Sequence, residues 1–341
     1  MPLRNWLRSI VCVRAGVLTL CVCFCGVAPA DEQNPPLAQN PHPAIKVEVV
    51  TTGNSSAASR KKAVADIPVD RIAADFRPKV DEVLKNVSLF RRMPTLSFAS
   101  DPDIYHFFIT HPDVAVSIWR VMEISSFEMW QVGATSYEAD SHDGSVGTIE
   151  VLHSSPERHL VLCEGSFKSP ILPKPIKARA LLHLQPTFRK GDDGQTVVTH
   201  TIDLFVSFPS QPVDITAKLI SPVSHAMADR NFREVSTWCA MMNVAICQQP
   251  GWVEQLAQKM EGVLEVRRNQ FLKLAAQTFV ENRKRQLDQQ TAAREGTIEQ
   301  TGATSKKPTT ESSVEGKSST IQASSEKPAA GSAAENASGK K

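Results

Sequence analysis

Aromatic side chains are confined to the middle of this chain, and their distribution limits where it can fold. The sequence has no Phe, Trp or Tyr from Asp31 to Asp66 and none from Thr291 to Lys341. A segment without large apolar side chains buries too little surface to offset the conformational entropy lost on folding. We therefore predict one folded domain over residues 67–285. A disordered linker over 31–66 precedes it, and a disordered, low-complexity tail over 286–341 follows it.

Residues 1–30 have the pattern of a Sec-type secretory signal peptide. Three arginines (Arg4, Arg8 and Arg14) give a basic start, the run from Ala15 to Val27 is apolar, and Ala28-Pro29-Ala30 is a small-residue cleavage site. The apolar run is shorter than the roughly 20 residues that span a bilayer, so a retained membrane anchor is the weaker alternative. We predict a secreted or periplasmic protein.

Cleavage of this segment changes both the charge and the cysteine content. Three of the 38 Lys and Arg residues would leave, so 35 would face 36 acidic residues, a formal charge of −1. A near-neutral chain is not expected to bind nucleic acid. Cys163, Cys239 and Cys247 would remain, and the last two are too far apart on one helix to pair. We expect three small buried side chains, with a disulfide from Cys163 to one of the others as the alternative.

Hydrophobic periodicity predicts helices, then strands, then helices within the domain. The predicted helices are Lys79–Phe90, two that begin at Asp101-Pro102-Asp103 and at His111-Pro112-Asp113, one that begins at Pro222, and one that follows Gln248-Gln249-Pro250-Gly251 and continues through Met260 to Phe279. The predicted strands are Phe127–Ala139, Val146–His153, His159–Phe167, Ile176–Phe188 and Thr196–Phe208. Their connections are too short for parallel crossovers, so we expect an antiparallel sheet.

The last strand predicts a sheet with one apolar face and one solvated face. Ile202, Leu204, Val206 and Phe208 alternate there with Thr199, Thr201, Asp203 and Ser207. The apolar face needs a cover, and the apolar stripes of the C-terminal helices can supply it. The predicted fold class is therefore α+β, a curved antiparallel sheet gripping long C-terminal helices.

This order of elements resembles the helix-grip superfamily of START-like and Bet v 1-like domains, over roughly Leu96 to Met260. The resemblance implies an apolar cavity between the sheet and the C-terminal helix, although fewer strands are predicted here than the family has. The chain is also similar to uncharacterised exported proteins of planctomycete bacteria. That similarity lies in short stretches such as Asp101-Pro102-Asp103, Ile118-Trp119 and Asn231-Phe232. It implies no activity.

Metal-binding patterns are incomplete in this sequence. Asp143-Gly144 followed by Glu150 fits half of an EF-hand loop, but Ala139 and Ser141 stand where oxygen ligands are required. We therefore predict a hairpin turn there. His183 and His200 could meet on neighbouring strands, yet their predicted faces are opposite, and no cysteine or histidine spacing fits zinc.

No motif names a reaction either. Gly144-Ser145-Val146-Gly147 lacks the spacing of a nucleophile elbow. Two aspartates and two histidines cluster near two helix starts (Asp103, His106, His111 and Asp113), and an acid–base pair could be built from them. Helix capping explains both aspartates without catalysis.

We predict a non-catalytic domain without metal or cofactor that binds an apolar or lipid-like ligand. The candidate ligand-binding residues are apolar side chains of the last two strands and the first C-terminal helix: Leu182, Leu184, Ile202, Leu204, Val206, Phe208, Met227, Trp238 and Met242. The alternative is that these side chains fill a close-packed core. The chain would then be a ligand-free structural or protein-interaction module of the cell envelope. The predicted partner is accordingly a hydrophobic small molecule or lipid, or an envelope protein.

Overall fold

The computed structural model describes residues 45–168, 175–191, 194–209 and 222–302. The strands are β1 (Glu48–Thr51), β2 (Leu89–Arg92), β3 (Thr95–Ala99), β4 (Glu128–Gln131), β5 (Ser136–Asp140), β6 (Ser145–Ser154), β7 (His159–Phe167), β8 (Ile176–Lys190) and β9 (Thr196–Ser207). The helices are α1 (Ala57–Ala65), α2 (Arg77–Lys85), α3 (Pro102–Thr110), α4 (Pro112–Val121), α5 (Pro222–Gln248), α6 (Pro250–Gln258) and α7 (Glu265–Gly302). The predicted signal peptide and the tail beyond residue 302 lie outside the described residues.

All the strands of these ranges belong to one antiparallel sheet with the order β1-β3-β9-β8-β7-β6-β5-β4. Strand β2 pairs with β9 beside β3, so two short strands share one side of β9. The sheet is curved and a long C-terminal helix, α5, packs on it, which confirms the predicted α+β class.

Two expectations about the first half of the domain were wrong. The predicted strand Phe127–Ala139 is two strands, β4 and β5, because the chain reverses where the backbone N–H groups of Val132 and Gly133 donate to the carbonyl of Ser136. The predicted helix Lys79–Phe90 ends at Lys85, and Leu89 begins β2. Pairing of Leu89 with Val206 of β9 outweighs the helical spacing of the local sequence.

The predicted linker is also ordered from residue 45 onward. Strand β1 pairs with β3, and α1 begins after Ser56, whose hydroxyl accepts a hydrogen bond from the N–H of Ser59 at 3.2 Å. Residues 31–44 lie outside the described residues. The lack of aromatics misled the prediction because small side chains suffice here: Ala63 of α1 is fully buried against rings that the sheet supplies.

Helices α1 and α2 cover one face of the sheet, which we call the outer face. They pack through Ala63, Val80 and Val83 against large apolar side chains of four strands: Phe90, Leu160, Leu162, Leu181 and Phe205. The predicted solvated face is therefore wrong. Asp203 and Ser207, expected in water, are buried on this face, and the Asp203 carboxylate is held by both Nε and Nη2 of Arg92 at 2.7 Å.

The opposite, inner face is covered by α5, followed by α6 and α7. The predicted helix running from Gly251 through Met260 to Phe279 is interrupted between Gln258 and Glu265. Ser117 of α4 explains the interruption, since its buried hydroxyl donates to the carbonyl of Glu261 and accepts from its N–H. Helix α7 then continues to Gly302, so the predicted start of the tail at 286 is wrong for residues 286–302. Within the described residues, no helix combines the length and apolarity required to cross a membrane.

The hairpin between β5 and β6 turns where predicted, and it requires a glycine. Gly144 has a φ of +97°, and a Cβ there would lie 2.6 Å from the carbonyl oxygen of Lys168. We expect Gly144→Ala to lower the free energy of unfolding by about 1–3 kcal/mol, because both the strained φ and the close approach act against a side chain.

Urea unfolding checks this against Gly251→Ala in α6, where a Cβ would meet nothing within 4 Å. The control should leave stability unchanged or raise it by up to about 1 kcal/mol. Equal effects of the two substitutions would contradict the assignment.

Candidate ligand-binding face of the sheet

The inner face carries apolar side chains in register across four strands. Val151 of β6, Val161 of β7 and Leu182 of β8 are successive strand partners, and Leu184 of β8 pairs with Ile202 of β9. Directly paired residues of antiparallel strands point to the same face. We call these five residues the inner patch.

The inner patch is partly exposed although it lies in the middle of the sheet. Its five side chains are half-buried, whereas Leu160, Leu181 and Phe205, on the outer face of the same strands, are 0% exposed. Every patch strand has a neighbour on both sides, so a sheet edge does not explain the difference. Protein interiors are normally close-packed. The helices on the inner face therefore leave these five side chains partly accessible to water.

The predicted ligand-binding residues divide into three groups. Leu182, Leu184 and Ile202 belong to the half-buried inner patch, and Met227 of α5 is half-buried as well. Leu204, Val206 and Phe208 lie on the same face but pack closely against Ala228 and Phe232 of α5. Trp238 and Met242 are buried in a separate cluster with residues of α3 and α4.

Aromatic packing separates that last group from the sheet centre. The Trp238 ring lies 4.8 Å from Phe108 and 5.5 Å from Trp119, both in edge-to-face geometry. Such pairs fix rings in place, so Trp238 holds α5 against α3 and α4 rather than presenting a free surface. Sequence reasoning placed Trp238 on the stripe of α5 correctly but could not tell which neighbour the stripe meets.

A buried polar chain joins α3, β9 and α5 next to the patch. Ser236 Oγ donates to the Phe232 carbonyl at 2.7 Å, so His200 Nε2 donates to Ser236 at 2.9 Å and His200 Nδ1 accepts from Tyr105 at 2.8 Å. Burial lowers the pKa of His200 to about 3. The imidazole is neutral and fully hydrogen-bonded, which is a structural arrangement. His183 lies on the outer face beside Asp203, so the two histidines face opposite sides, as predicted.

His159 is the ionisable side chain of the inner face that sequence reasoning missed. It begins β7 and pairs with Leu184 of the inner patch. Its Nδ1 lies 3.0 Å from Ser154 Oγ. Burial, followed by the charges of His153 and His106, lowers its pKa to about 4. Side chains alternate along β7 and Val161 faces inward, so the sequence pattern also places His159 on the inner face.

The candidate acid–base cluster near the starts of α3 and α4 is not assembled. Asp113 is fully buried and accepts a hydrogen bond from Arg267 Nη1 at 2.5 Å, while a second nitrogen of Arg267 donates to Tyr137. His111 instead has Nδ1 3.1 Å from the Phe107 carbonyl. These contacts tie α7 to α4 and β5.

The three cysteines are each only partly buried, so the expectation of three buried side chains is met in part. No disulfide joins Cys163, Cys239 and Cys247 in the described parts of the chain. Burial raises the pKa of Cys239 to about 12 and that of Cys247 to about 11. Thiols held protonated in this way are poor nucleophiles.

The element order and the helix packed on the inner face define an α+β domain with a curved antiparallel sheet and a long C-terminal helix. No protein-family model and no curated protein sequence matches the chain. Among solved structures, it is similar to a conserved protein from Geobacillus kaustophilus, with 13% identity and a TM-score of 0.29 over 49% of this chain and 95% of that one. It is also similar to Ara h 8.0201, a Bet v 1-like protein, with 9% identity and a TM-score of 0.26 over 42% of this chain and 96% of that one. These likenesses are weak, and the fold assignment rests on the sheet topology. The resemblance to planctomycete proteins stays a prediction.

Neutral buried histidines make this domain sensitive to acid. An unfolded imidazole has a pKa of roughly 6.5, and His200 is held at about 3. Between those values the unfolded state binds more protons than the folded state, so stability falls as the pH is lowered through this window. We expect His200→Gln to flatten the fall in urea midpoint between about pH 6.5 and pH 4.

The urea midpoint of the His200→Gln variant should still fall somewhat as the pH is lowered, because His159, with a pKa of about 4, acts in the same direction. His142→Gln, at an exposed turn where the imidazole lies 3.4 Å from Glu128 Oε2, is the control and should not flatten the slope. A His200→Gln profile as steep as that of the wild type would overturn this account.

Proposed function

We propose that this chain is an exported, non-catalytic domain that binds an apolar or lipid-like ligand against the inner patch. One observation carries the proposal. Val161, Leu182 and Ile202 remain half-buried in the centre of a sheet whose other face is sealed. Concave, mostly apolar spaces with few polar groups are the usual sites of small-molecule binding.

Burial of the inner patch by a ligand would supply the driving force for binding. Each Å² of apolar surface removed from water contributes about 25 cal/mol, and the patch exposes parts of five aliphatic side chains. An apolar ligand would bury this surface without disturbing the sheet, because the strands below are already sealed by α1 and α2.

Three carboxylates of the domain are engaged in ion pairs away from the inner patch. Asp113, Asp203 and Asp229 are each paired with an arginine. These ion pairs join elements of the fold, and none includes a residue of the inner patch.

Export follows from residues 1–30 of the sequence. We expect the protein purified from the extracytoplasmic fraction of a bacterial host to begin at Asp31, because Ala28-Pro29-Ala30 fits a signal-peptidase site. Intact-mass measurement checks the cleavage point. Retention of the full-length chain in the membrane fraction would instead favour an N-terminal anchor.

Filling the patch should block ligand binding. We expect Leu184→Trp to weaken the binding of the neutral dye Nile red by at least about tenfold, equivalent to about 1.4 kcal/mol, because the larger ring occupies the space beside Ile202. Fluorescence titration gives the affinity, and circular dichroism reports folding.

Val146→Trp is the control, since Val146 is 47% exposed on the outer side of β6; it should bind as the wild type does. A folded wild-type domain that binds no apolar probe would instead favour the ligand-free interaction module.

A further inference from the structure

His159 gives the apolar inner face a polar end. It lies in the same cross-strand row as Leu184 and Ile202, and its Nδ1 is occupied by Ser154 Oγ at 3.0 Å. Its Nε2 has no hydrogen-bond partner within the described residues. Unlike Nε2 of His183, it is not sealed from solvent. A ring nitrogen that is neither bonded nor sealed can bind a ligand atom.

The groups around His159 lack negative charge. His106 on α3 and His153 on β6 act on it electrostatically, and both lower its pKa. Ser154 and Leu184, on the two neighbouring strands, are uncharged, and His183 of β8 points to the outer face. Asp103 raises the pKa of His106, whereas the lowered pKa of His159 follows from burial, His153 and His106, with no carboxylate of the described residues among its causes.

This environment of His159 suits a ligand with an acidic head group. At neutral pH a carboxylate arriving from water would meet a neutral imidazole in a poorly hydrated space. Burying an isolated charge there is unfavourable, so one proton must be shared between the two groups. That proton comes from solvent, and the shared proton forms a charge-assisted hydrogen bond between ligand oxygen and Nε2.

Building on the proposed function, we propose that the ligand is a single-chain carboxylic acid. Its carboxyl group binds Nε2 of His159, its chain lies on the inner patch, and binding takes up one proton. A neutral molecule with the same chain makes the apolar contacts but takes up no proton.

The test compares dodecanoate with dodecan-1-ol, by calorimetry at several pH values, with Nile red as a probe of the patch itself. Uptake of one proton means that the dodecanoate affinity falls by up to about tenfold per pH unit between about pH 6 and pH 8. The dodecan-1-ol affinity stays flat. Calorimetry in buffers of different ionisation enthalpy gives the number of protons taken up.

Two variants assign the effect to this histidine. His159→Gln keeps a hydrogen-bonding partner for Ser154 but cannot share the proton of the ligand as an imidazole does, and it should weaken dodecanoate binding at pH 6 by about tenfold while retaining Nile red and dodecan-1-ol binding. His159→Phe should do the same, and His142→Gln should leave the dodecanoate affinity intact. Circular dichroism confirms that each variant is folded.

The outcomes separate this inference from the proposed function. Binding of Nile red and dodecan-1-ol, with a dodecanoate affinity that does not vary with pH, overturns the head-group assignment and leaves the apolar site standing. A dodecanoate affinity that is unchanged in both His159 variants overturns it as well. Failure of every apolar probe to bind the wild-type domain overturns the proposed function itself.

Discussion

The alternation of side chains along β9 is the constraint on which the helix packing on both faces of the sheet depends. Leu204 and Val206 face α5, while Asp203 and Phe205 face α1 and α2, and all four are buried. A shift of one residue in pairing would exchange the two sets. It would also separate Asp203 from Arg92, its ion-pair partner on β2. The register of β9 is therefore fixed jointly by the apolar helix packing on both of its faces and by the buried carboxylate of Asp203.

Helix α5 makes three polar contacts in addition to the apolar packing of Phe232 and Trp238. Asp229 binds Arg91 of β2, Ser236 binds His200 of β9, and Asn243 accepts a hydrogen bond from the backbone N–H of Asp101. The three α5 residues are seven apart, about two turns, so they lie on nearly the same side of the helix. These directional bonds fix the position of α5 along its axis, which apolar packing alone does not specify.

The sequence predicted what depends on local pattern and missed what depends on distant partners. Strand β7 matches its prediction residue for residue, and α3 and α4 begin where predicted, although only α3 has a capping side chain, Asp101, and Asp113 of α4 binds Arg267 instead of capping. Helix α1 was missed because its contribution is a small side chain, Ala63, buried by rings that lie far away in sequence. The candidate site was half predicted for the same reason. Alternation identified Leu182, Leu184 and Ile202, but only the packing shows that Leu204 is sealed and Leu184 is not.

The cover on the outer face also sets the order in which the molecule can form. Helices α1 and α2 are made early, yet the side chains they pack against include Leu181 and Phe205, about a hundred residues or more further along the chain. Strand β3 likewise pairs with β9, Leu96 opposite His200. Contacts between such distant segments form late and slowly. During synthesis α1 and α2 therefore lack the surface against which they pack until β9 has been made.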